Sequence, residues 1–485
     1  MTSTAPTTGT GDRPVGDDDR PADAAAGSPA GPVDVPAEVA RLRRTFGRGR
    51  TRPLAWRRRQ LEGIERLVRE CEPALAAALA EDLGRTAHYA WLGDFASTIA
   101  EARYARRHLK RWMRPRRTGM PLALRPGRAS YRYEPLGVVL IIGPWNYPVY
   151  LTLAPLVAAF AAGNAAVVKP SEHAPATAAA LARLIPRYVD QDAVAVLPGD
   201  AAVTQELLAQ GLDLAFFTGG PDIGRKVMAA AAQHLTPVVL ELGGKSPVIV
   251  TRDADVEVAA RRIAWTKLLN SGQTCLAPDY VLVEEPVRDR LIAGIEQSVR
   301  RFQQGEPAVQ PLVNSRQFDR LAAALDGHGG RVVLGGGTDA RVPGIEPTIV
   351  LDPAPDSALM SEEIFGPVLP VLTVDSLDVA IDFVNARPKP LALYLFSASA
   401  DAHERVLTAT SSGGVVINHL VLHCMAPQLP FGGVGTSGTG AYHGEWGFQA
   451  FSHRKAVLAK PTRPDPALMY PPYTPAKIKV LRRFL

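Results

Sequence analysis

Short runs of apolar, β-branched residues alternate with amphipathic stretches through the middle of the chain, from residue 137 to about residue 430. In the first part these runs predict strands at 137–142, 165–169, 193–197, 214–217 and 237–242, separated by helices at 150–162, 177–185, 203–208 and 222–232. In the second part they predict strands at 248–250, 280–283, 331–335, 368–374 and 392–397. Short buried strands that alternate with helices are typical of βαβ units. The pattern therefore predicts two successive α/β units with doubly wound, parallel sheets.

Both ends of the chain depart from this pattern. Residues 1–35 contain six Asp against two Arg, no aromatic residue, and many Pro, Gly, Ala, Ser and Thr. Such a segment buries too little apolar surface to offset the entropy of ordering it, so we expect a disordered tail. It also lacks the apolar stretch of a signal peptide. Near the other end, 448–460 has the pattern of an edge strand, and the basic segment 477–485 is expected to be a docked surface helix or arm.

Composition narrows the class of protein. The 485 residues are 46% apolar and 21% charged, which is typical of a globular protein. No run of about 18 apolar residues predicts a transmembrane helix. The three cysteines lie far apart and form no CxxC pair, which argues against a disulfide framework and favours a reducing compartment.

Positive charge is concentrated in two stretches. Nine Arg lie between positions 41 and 59, and ten Lys or Arg lie between positions 103 and 128. Such stretches form either a surface for a polyanion or the solvated faces of amphipathic helices. Apolar residues follow the first stretch at helical spacing, and no RNA-reading aromatic motif accompanies either. We therefore expect helix faces and no nucleic-acid partner.

Cys275 is the residue that most clearly suggests chemistry. It ends the polar segment NSGQTC at 270–275, whereas a structural cysteine usually lies among apolar residues. A thiolate nucleophile requires partial access and a favourable local potential. A zinc site is not expected, because His419 and His423 occur in HLVLH, which lacks the glutamate of HExxH.

Two strand ends offer residues that suit a phosphate or a sugar. Gly219, Gly220 and Gly224 follow the strand at 214–217, where glycines and a helix N-terminus can approach a phosphate. Their spacing is not GxGxxG, so an ordinary strand–turn–helix junction explains them equally well. Lys169 and Glu172 follow the strand at 165–169, where they either bind ribose hydroxyls or are ordinary surface charges.

Several segments together resemble the NAD(P)-dependent aldehyde dehydrogenase superfamily. They are FTGG and GRKVM at 217–228, LELGGKSP at 240–247, NSGQTC at 270–275, EEIFGPV at 362–368 and PFGGVGTSG at 430–438. The resemblance covers roughly residues 40–460 in the right order. Three further segments resemble the class 3 branch of this superfamily, which oxidises aromatic and medium-chain aliphatic aldehydes. They are GPWNYP at 143–148, AYHGEWGFQAFSHRK at 441–455 and YPPYT at 470–474.

The resemblance implies a role for each matching residue. Cys275 matches the nucleophile that forms a thiohemiacetal and then a thioester, Asn146 matches the side-chain amide of the oxyanion site, and Glu241 matches the base that activates water. The cofactor would be NAD, with NADP as an accepted alternative. Residues matching its contacts are Trp145, Lys169, Glu172, Gly219, Gly220, Gly224, Leu242, Glu363 and Phe365.

The resemblance also implies a domain organisation. A doubly wound NAD(P)-binding domain would comprise 36–122 and 137–240, and an α/β catalytic domain would comprise 241–440. A small β oligomerisation flap would join a hairpin within 123–136 to 441–485. We expect a homodimer without integral membrane association, and the ending KVLRRFL, which is not an apolar anchor, favours the cytoplasm.

Two other functions fit the same resemblance. A CoA-acylating relative would commonly lack the water-activating glutamate, whereas Glu241 and Glu363 are both present. A catalytically silent binding or structural homologue would not need Cys275, Asn146 and Glu241 together. Hydrolytic aldehyde oxidation is therefore the main prediction.

Overall fold

The computed structural model describes residues 34–484 of the chain. The predicted disordered tail, 1–35, lies outside the described residues except at its last two positions. There the prediction is wrong by one residue, because Val35 begins the first helix and is buried.

The helices and strands are numbered here in chain order. The helices are α1 Val35–Gly47, α2 Leu54–Glu70, α3 Glu72–Leu83, α4 Ala87–Ala90, α5 Ala96–Trp112, α6 Tyr150–Ala162, α7 Pro175–Tyr188, α8 Ala201–Leu208, α9 Pro221–Ala232, α10 Val256–Leu268, α11 Arg288–Phe302, α12 Ser315–Asp326, α13 Ala358–Ser361, α14 Leu377–Asn385, α15 Ala400–Ala409, α16 Gly444–Ala450 and α17 Pro475–Phe484. The strands are β1 Arg116–Thr118, β2 Arg128–Pro135, β3 Val138–Ile142, β4 Ala165–Lys169, β5 Val194–Val196, β6 Leu214–Gly219, β7 Val238–Leu242, β8 Pro247–Val250, β9 Tyr280–Glu284, β10 Gln310–Pro311, β11 Arg331–Leu334, β12 Thr338–Asp339, β13 Gly344–Ile345, β14 Thr348–Leu351, β15 Val368–Val374, β16 Ala392–Phe396, β17 Gly414–Ile417, β18 Gly438–Thr439 and β19 Ser452–Ala459.

The first large sheet has the doubly wound order that the sequence predicts. Its strands run β18-β7-β6-β3-β4-β5, and the five from β3 to β7 are parallel. The chain starts at the central strand β3, moves to β4 and β5 on one side, and then crosses to β6 and β7 on the other. In such a sheet the carboxyl ends of the two strands beside the crossing leave a crevice where ligands bind. Here those strands are β3 and β6.

The second large sheet has the order β11-β14-β15-β9-β8-β16-β17. All of its neighbours are parallel except β11, which pairs antiparallel with β14 at one edge. Every predicted strand of both halves is present, with ends that differ by one or two residues. The inner strands are buried on both faces because helices cover them, which explains their continuous apolar sequences, whereas the edge strands β11 and β17 are only partly buried.

Helix α6 shows how the first sheet is covered. It lies directly after the loop that follows β3, and all of its residues except Tyr150 are buried. A helix that is apolar on all sides is stable only inside the protein. Because α6 is fixed in the core, the short loop between β3 and α6 is held at both ends.

A third sheet contains the segments predicted to form the flap. Strand β2 pairs antiparallel with β1 on one side and with β19 on the other. The predicted hairpin within 123–136 is shifted, because its first strand lies earlier, at β1. The predicted edge strand over 448–460 is also partly wrong. Its first residues belong to α16, where Phe448 packs against the ring of Trp112, and the strand begins only at Ser452.

No helix within residues 34–484 has the length and apolar character needed to cross a membrane. The basic C-terminal segment forms helix α17, as predicted.

Helix α7 begins without a capping side chain of its own. Its N-cap residue is Ala174, and the carboxylate of Asp82 in α3 accepts hydrogen bonds from the backbone N–H groups of Ala176 at 3.0 Å and Thr177 at 2.7 Å. The cap is therefore supplied by a residue more than 90 positions away. Because α7 follows β4, this contact also fixes the end of the loop that carries Glu172.

We expect Asp82→Ala to lower the free energy of unfolding by about 1–2 kcal/mol, which is the usual cost of losing a helix cap. Urea denaturation followed by circular dichroism measures the change. Glu81→Ala, at the exposed neighbouring position of the same helix, is the matched control and should change the value by less than about 0.5 kcal/mol. Equal effects of the two variants would contradict the assignment of the cap.

Candidate active site

Three of the predicted site segments lie at the same edge of the first sheet. Trp145 and Asn146 follow β3, Lys169 ends β4, and Gly219 ends β6. Because these strands are parallel neighbours, their carboxyl ends lie side by side. The crevice of the doubly wound sheet is therefore lined by residues that the sequence analysis had selected.

The loop that carries Cys275 has an unusual backbone. Asn270, Ser271 and Gly272 all have left-handed φ angles, at 51°, 57° and 71°. This backbone requires a glycine at position 272, because a Cβ there would lie only 2.2 Å from the backbone oxygen of Gly366. The loop therefore contacts the backbone of the segment that contains Glu363 and Phe365. Strained backbone of this kind persists only where the surrounding structure holds it in place.

Hydrogen bonds join the Cys275 loop to the loop after β3. The Asn146 side-chain amide donates to the backbone oxygen of Gln273 at 3.1 Å. The hydroxyls of Tyr147 and Thr274 are also within hydrogen-bond distance, at 2.9 Å. An amide nitrogen carries two N–H donors, so Asn146 keeps one for another acceptor. Cys275 itself is partly exposed and is a free thiol.

Glu241 lies in β7 with only 1% of its surface exposed. Neither of its carboxyl oxygens has a hydrogen-bond partner among the described residues. Burial, reinforced by the charge of Glu363, raises the pKa of Glu241 to about 8. A buried carboxyl group without partners is costly and is typical of functional sites.

Strand β18 covers the segment of β7 that contains Glu241. Gly438 pairs with Glu241, and Thr439 pairs with Leu240. Gly438 has a φ of 146°, and a Cβ there would lie 2.2 Å from the backbone oxygen of Leu240. The glycines of PFGGVGTSG therefore allow this segment to lie against β7.

The Glu363 carboxyl lies directly over the backbone that follows β7. A Cβ on Gly243 would come within 2.2 Å of a Glu363 carboxyl oxygen. Burial and the charge of Asp279 raise the pKa of Glu363 to about 8, although a hydrogen bond from the Gly244 backbone opposes the shift. Two carboxyl groups with raised pKa values therefore lie near each other.

Charged side chains fix the backbone of the Glu363 segment. Arg320 donates to the backbone oxygens of Glu363 at 3.2 Å and Ile364 at 2.6 Å. Lys245 donates to Asp279 and to the backbone oxygen of Glu362 at 2.8 Å. Phe365 follows in a left-handed conformation, and its ring meets the Trp145 ring edge-on with 5.4 Å between centroids. These contacts bring together residues from both large sheets.

The surroundings of Cys275 disfavour its ionised form. Burial raises the pKa of the thiol well above its usual value, and the charges of Glu241 and Glu363 add to the shift. Both carboxyl groups therefore lie within electrostatic range of the thiol. A base must therefore remove the thiol proton before the sulfur can act as a nucleophile.

Lys169 and Glu172 form an ion pair at the end of β4. Lys169 is buried, and its Nζ lies 2.5 Å from a carboxyl oxygen of Glu172, whose side chain is partly exposed. The Lys169 hydrogen bond contributes to lowering the pKa of Glu172, although burial of the carboxyl opposes the shift. The pair faces the same edge of the sheet as Asn146.

The three predicted cofactor glycines play different local roles. Gly219 ends β6, and Gly220 is the N-cap of α9, with open space within 4 Å of the position of a Cβ. Gly224 lies one turn inside α9, and a Cβ there would lie 2.7 Å from a methyl group of Leu242. Gly224 therefore allows α9 to pack closely on β7, whereas Gly219 and Gly220 form the turn itself.

Sequence reasoning missed two residues of this site. Arg85 and Asp94, far from any recognised motif, contact the Asn146 loop directly. Nothing in the local sequence of these two residues indicates such contacts. Cys424 belongs to the same environment, because burial, together with the charge of Glu241, raises the pKa of its thiol to about 12. Residues 34–484 hold no cluster of His, Cys, Asp and Glu suited to a metal ion.

Comparisons with known proteins agree with the resemblance. The aldehyde dehydrogenase family model matches residues 22–457. Aldehyde dehydrogenase family 3 member A2 of Rattus norvegicus is 45% identical over 454 residues, which cover 92% of this chain and 93% of that protein. Aldehyde dehydrogenase family 3 member B1 of Homo sapiens is 45% identical over 447 residues, which cover 91% and 95%.

Solved structures show the same similarity. The substrate-bound state of Staphylococcus aureus AldH has a TM-score of 0.89 at 40% identity, covering 93% of this chain and 99% of that one. An indole-3-acetaldehyde dehydrogenase solved with NAD+ has a TM-score of 0.81 at 28% identity, covering 88% and 89%. The chain therefore belongs to the aldehyde dehydrogenase family and is an NAD(P)-dependent oxidoreductase that acts on aldehydes.

Proposed function

We propose that this chain oxidises aldehydes to carboxylic acids through a covalent adduct on Cys275, with Asn146 as an oxyanion donor and Glu241 as the general base. One observation carries the proposal. The Cys275 thiol lies on a loop bonded to the Asn146 amide, within electrostatic range of the buried Glu241 carboxyl, which has no hydrogen-bond partner among the described residues. Nucleophile, oxyanion donor and base are the three groups that acyl chemistry on a thiol requires.

In the first step the Cys275 sulfur adds to the aldehyde carbonyl carbon. The thiol proton must leave, and Glu241 is a nearby carboxyl whose pKa of about 8 allows it to accept a proton near neutral pH. The carbonyl oxygen gains negative charge as the carbon becomes tetrahedral. The second N–H of the Asn146 amide and the backbone N–H of Cys275 are the donors that we assign to this oxygen.

A bound NAD(P) would supply the hydride acceptor for the former carbonyl carbon, and the protein would contribute position and electrostatics. The edge of the first sheet fits such a group. Gly220 opens the 12-residue helix α9 beside open space, and the buried hydroxyl of Thr218 at the end of β6 has no partner among the described residues. A helix N-terminus of this kind suits a pyrophosphate.

We assign the remaining cofactor contacts by position at this edge. Lys169 and Glu172 would hold the adenosine ribose, and Gly219 and Gly220 the pyrophosphate. Gly224 would keep α9 close to β7 at that turn. Trp145, Leu242, Glu363 and Phe365 would surround the nicotinamide ribose.

In the last step water hydrolyses the thioester on Cys275. Before this step Glu241 releases to solvent the proton that it took from the thiol. The ionised carboxylate then takes a proton from the water, the water oxygen bonds to the thioester carbon, and the carbon–sulfur bond breaks. The Cys275 sulfur leaves as a thiolate and the carboxylic acid is released. Because neither Glu241 oxygen is engaged with the described protein groups, the carboxylate is free to bind a water. The same residue can therefore serve both proton transfers.

Three finer features complete the proposal. The resemblance of the motifs at 143–148, 441–455 and 470–474 to the class 3 branch supports aromatic or medium-chain aliphatic aldehydes as substrates. The strand β19 is at an open edge of the third sheet, and such an edge can pair with a second copy, which supports a homodimer. The three free cysteines at 71, 275 and 424 suit a reducing compartment and support a cytoplasmic location.

We expect Cys275→Ala to lower aldehyde turnover on the order of 10⁴-fold or more, because the covalent adduct cannot form. Turnover is measured by the absorbance of the reduced cofactor. Cofactor binding is measured by quenching of tryptophan fluorescence, and we expect the variant to retain this binding. Cys71→Ser is the matched control, because that thiol bonds to the Tyr188 hydroxyl outside the site. Wild-type turnover in Cys275→Ala would exclude this residue as the nucleophile.

Glu241→Gln should slow hydrolysis by about 10²–10⁴-fold, because the amide cannot act as a base. A pre-steady-state burst of reduced cofactor should appear or grow. In the wild type the hydrolysis rate should rise with pH up to about 8, where Glu241 becomes ionised, and this dependence should vanish in the variant. Stopped-flow absorbance over a pH series measures the burst and the pH dependence of hydrolysis. Unchanged steady-state turnover in the variant would remove Glu241 from the mechanism.

Glu172→Ser should raise the efficiency with NADP relative to NAD by about tenfold, equivalent to ~1.4 kcal/mol. Glu172 repels the 2′-phosphate of NADP and also neutralises Lys169 at 2.5 Å, so its loss leaves the lysine free to attract that phosphate. The wild type should prefer NAD modestly. Measuring kcat/KM for both cofactors at one ionic strength tests this, and an unchanged ratio would place Glu172 away from the ribose.

A further inference from the structure

Arg85 is a buried guanidinium that contacts three separate segments. It donates to the carboxylate of Asp94, to the backbone oxygen of Asn146 at 2.6 Å, and to the side-chain oxygen of Asn270 at 2.5 Å. Its side chain is 4% exposed, and that of Asp94 is completely buried. Two of these acceptors lie in the loops that carry Asn146 and Cys275.

Asp94 holds the Asn146 loop from its other end. The Asp94 carboxylate accepts hydrogen bonds from the backbone N–H groups of Val149 at 3.0 Å and Tyr150 at 2.8 Å, at the start of α6. Asp94 belongs to a single π-helical turn, Trp91–Phe95, between α4 and α5. Such turns frequently occur at functional sites, because they redirect side chains that a regular helix would place elsewhere.

Further contacts hold the two loops together. The Asn270 side chain donates to the backbone oxygens of Asn146 at 3.1 Å and Gln273 at 3.0 Å. The Arg85 guanidinium also lies 4.7 Å from the centre of the Tyr147 ring, whose hydroxyl meets Thr274. The backbone oxygen of Asn146 therefore has two donors, and the same arginine reaches the segment just before Cys275, at Asn270 directly and at Thr274 through Tyr147.

We propose that Arg85 and Asp94 are positioning residues that orient the Asn146 amide toward the oxyanion formed on Cys275, an inference that rests on the proposed function. A donor acts on an oxyanion only where its direction is fixed before the charge develops. The Asn146 side chain takes its direction from a peptide whose oxygen is fixed by Arg85 and Asn270. Displacing a reacting group by about 1 Å can cost on the order of 10²-fold in rate.

A contribution to the free energy of unfolding is not needed to explain the ion pair between Arg85 and Asp94. Removing two charges from water usually costs as much as their attraction returns, so a buried pair is weak evidence for a stabilising role. Arg57 offers an instructive comparison, because it is also buried but donates to the backbone oxygens of Ala161 and Arg52, outside the site. A purely structural role for Arg85 would make the two arginines equivalent.

The test is a double-mutant cycle with Asn146. Asp94→Asn keeps the shape and an oxygen acceptor for the N–H groups of Val149 and Tyr150, but it presents an amide N–H to Arg85. Arg85→Met removes the donors and keeps an apolar stem. In the wild-type background each should lower kcat by on the order of 10²-fold with little change in the KM for aldehyde. In the Asn146→Ala background each should lower kcat by less than about threefold, because the positioned group is absent.

Two further variants separate positioning from folding. Arg57→Met should lower the thermal unfolding temperature while leaving kcat within about twofold. Arg85→Lys keeps three N–H donors for the same three acceptors and should recover most of the kcat that Arg85→Met loses. Circular dichroism and tryptophan fluorescence establish folding, and if Arg85→Met does not fold, Asp94→Asn decides the cycle.

The outcomes distinguish the positioning role of Arg85 and Asp94 from the oxyanion role of Asn146 on which it rests. Losses in kcat of equal size in both backgrounds would overturn the positioning role, while a slow Asn146→Ala variant would leave the oxyanion assignment intact. Wild-type kcat in Asn146→Ala would instead overturn the oxyanion assignment and with it the role of Arg85. A loss confined to the unfolding temperature, equal for Arg85→Met and Arg57→Met, would show that Arg85 is only structural.

Discussion

The hydrogen bond from the Asn146 amide to the Gln273 backbone joins the two large sheets where the chemistry is concentrated. One partner follows β3 in the first sheet, and the other precedes β9 in the second. Neither loop contains a strand or an α-helix, so each depends on tertiary contacts to hold its shape. Because this bond and the Tyr147–Thr274 contact bring the loops together, the Cys275 thiol is placed beside the carboxyl group on β7.

Desolvation sets the protonation of the carboxyl groups at this junction. Glu241 and Glu363 have raised pKa values because they are buried and near other carboxyl groups. Each binds a proton more tightly in the folded than in the unfolded state, so each contributes a loss of stability as the pH rises from about 4.5 to about 8. The same burial leaves both Glu241 oxygens without a partner among the described residues. In the proposed mechanism, this loss of stability falls on the residue that transfers the proton.

Glycines allow the surrounding segments to approach this junction. Gly272 meets the backbone of Gly366, Gly438 meets that of Leu240, and Gly243 leaves room for the Glu363 carboxyl. At each of these positions a side chain would collide with the neighbouring segment. The glycine-rich motifs therefore serve packing between neighbouring segments, which is also clear at Gly224, where a Cβ would meet Leu242.

The sequence by itself determined most strands of both sheets, because buried parallel strands have short, continuous apolar sequences. It did not predict β14 or β17 of the second sheet. Its motifs also selected Cys275, Asn146 and Glu241, and the assembled site brings these residues together. The pairing of β18 with β7 and the contacts of Arg85 with Asn146 and Asn270 were decided only by the tertiary structure. The two contacts of Arg85 join residues that are 61 and 185 positions apart in the chain. The local sequence around Arg85 has no periodicity or turn signal that indicates these partners. The local pattern of apolar residues indicates whether a segment is buried. Which group a single charged side chain contacts depends instead on how segments distant in sequence pack together.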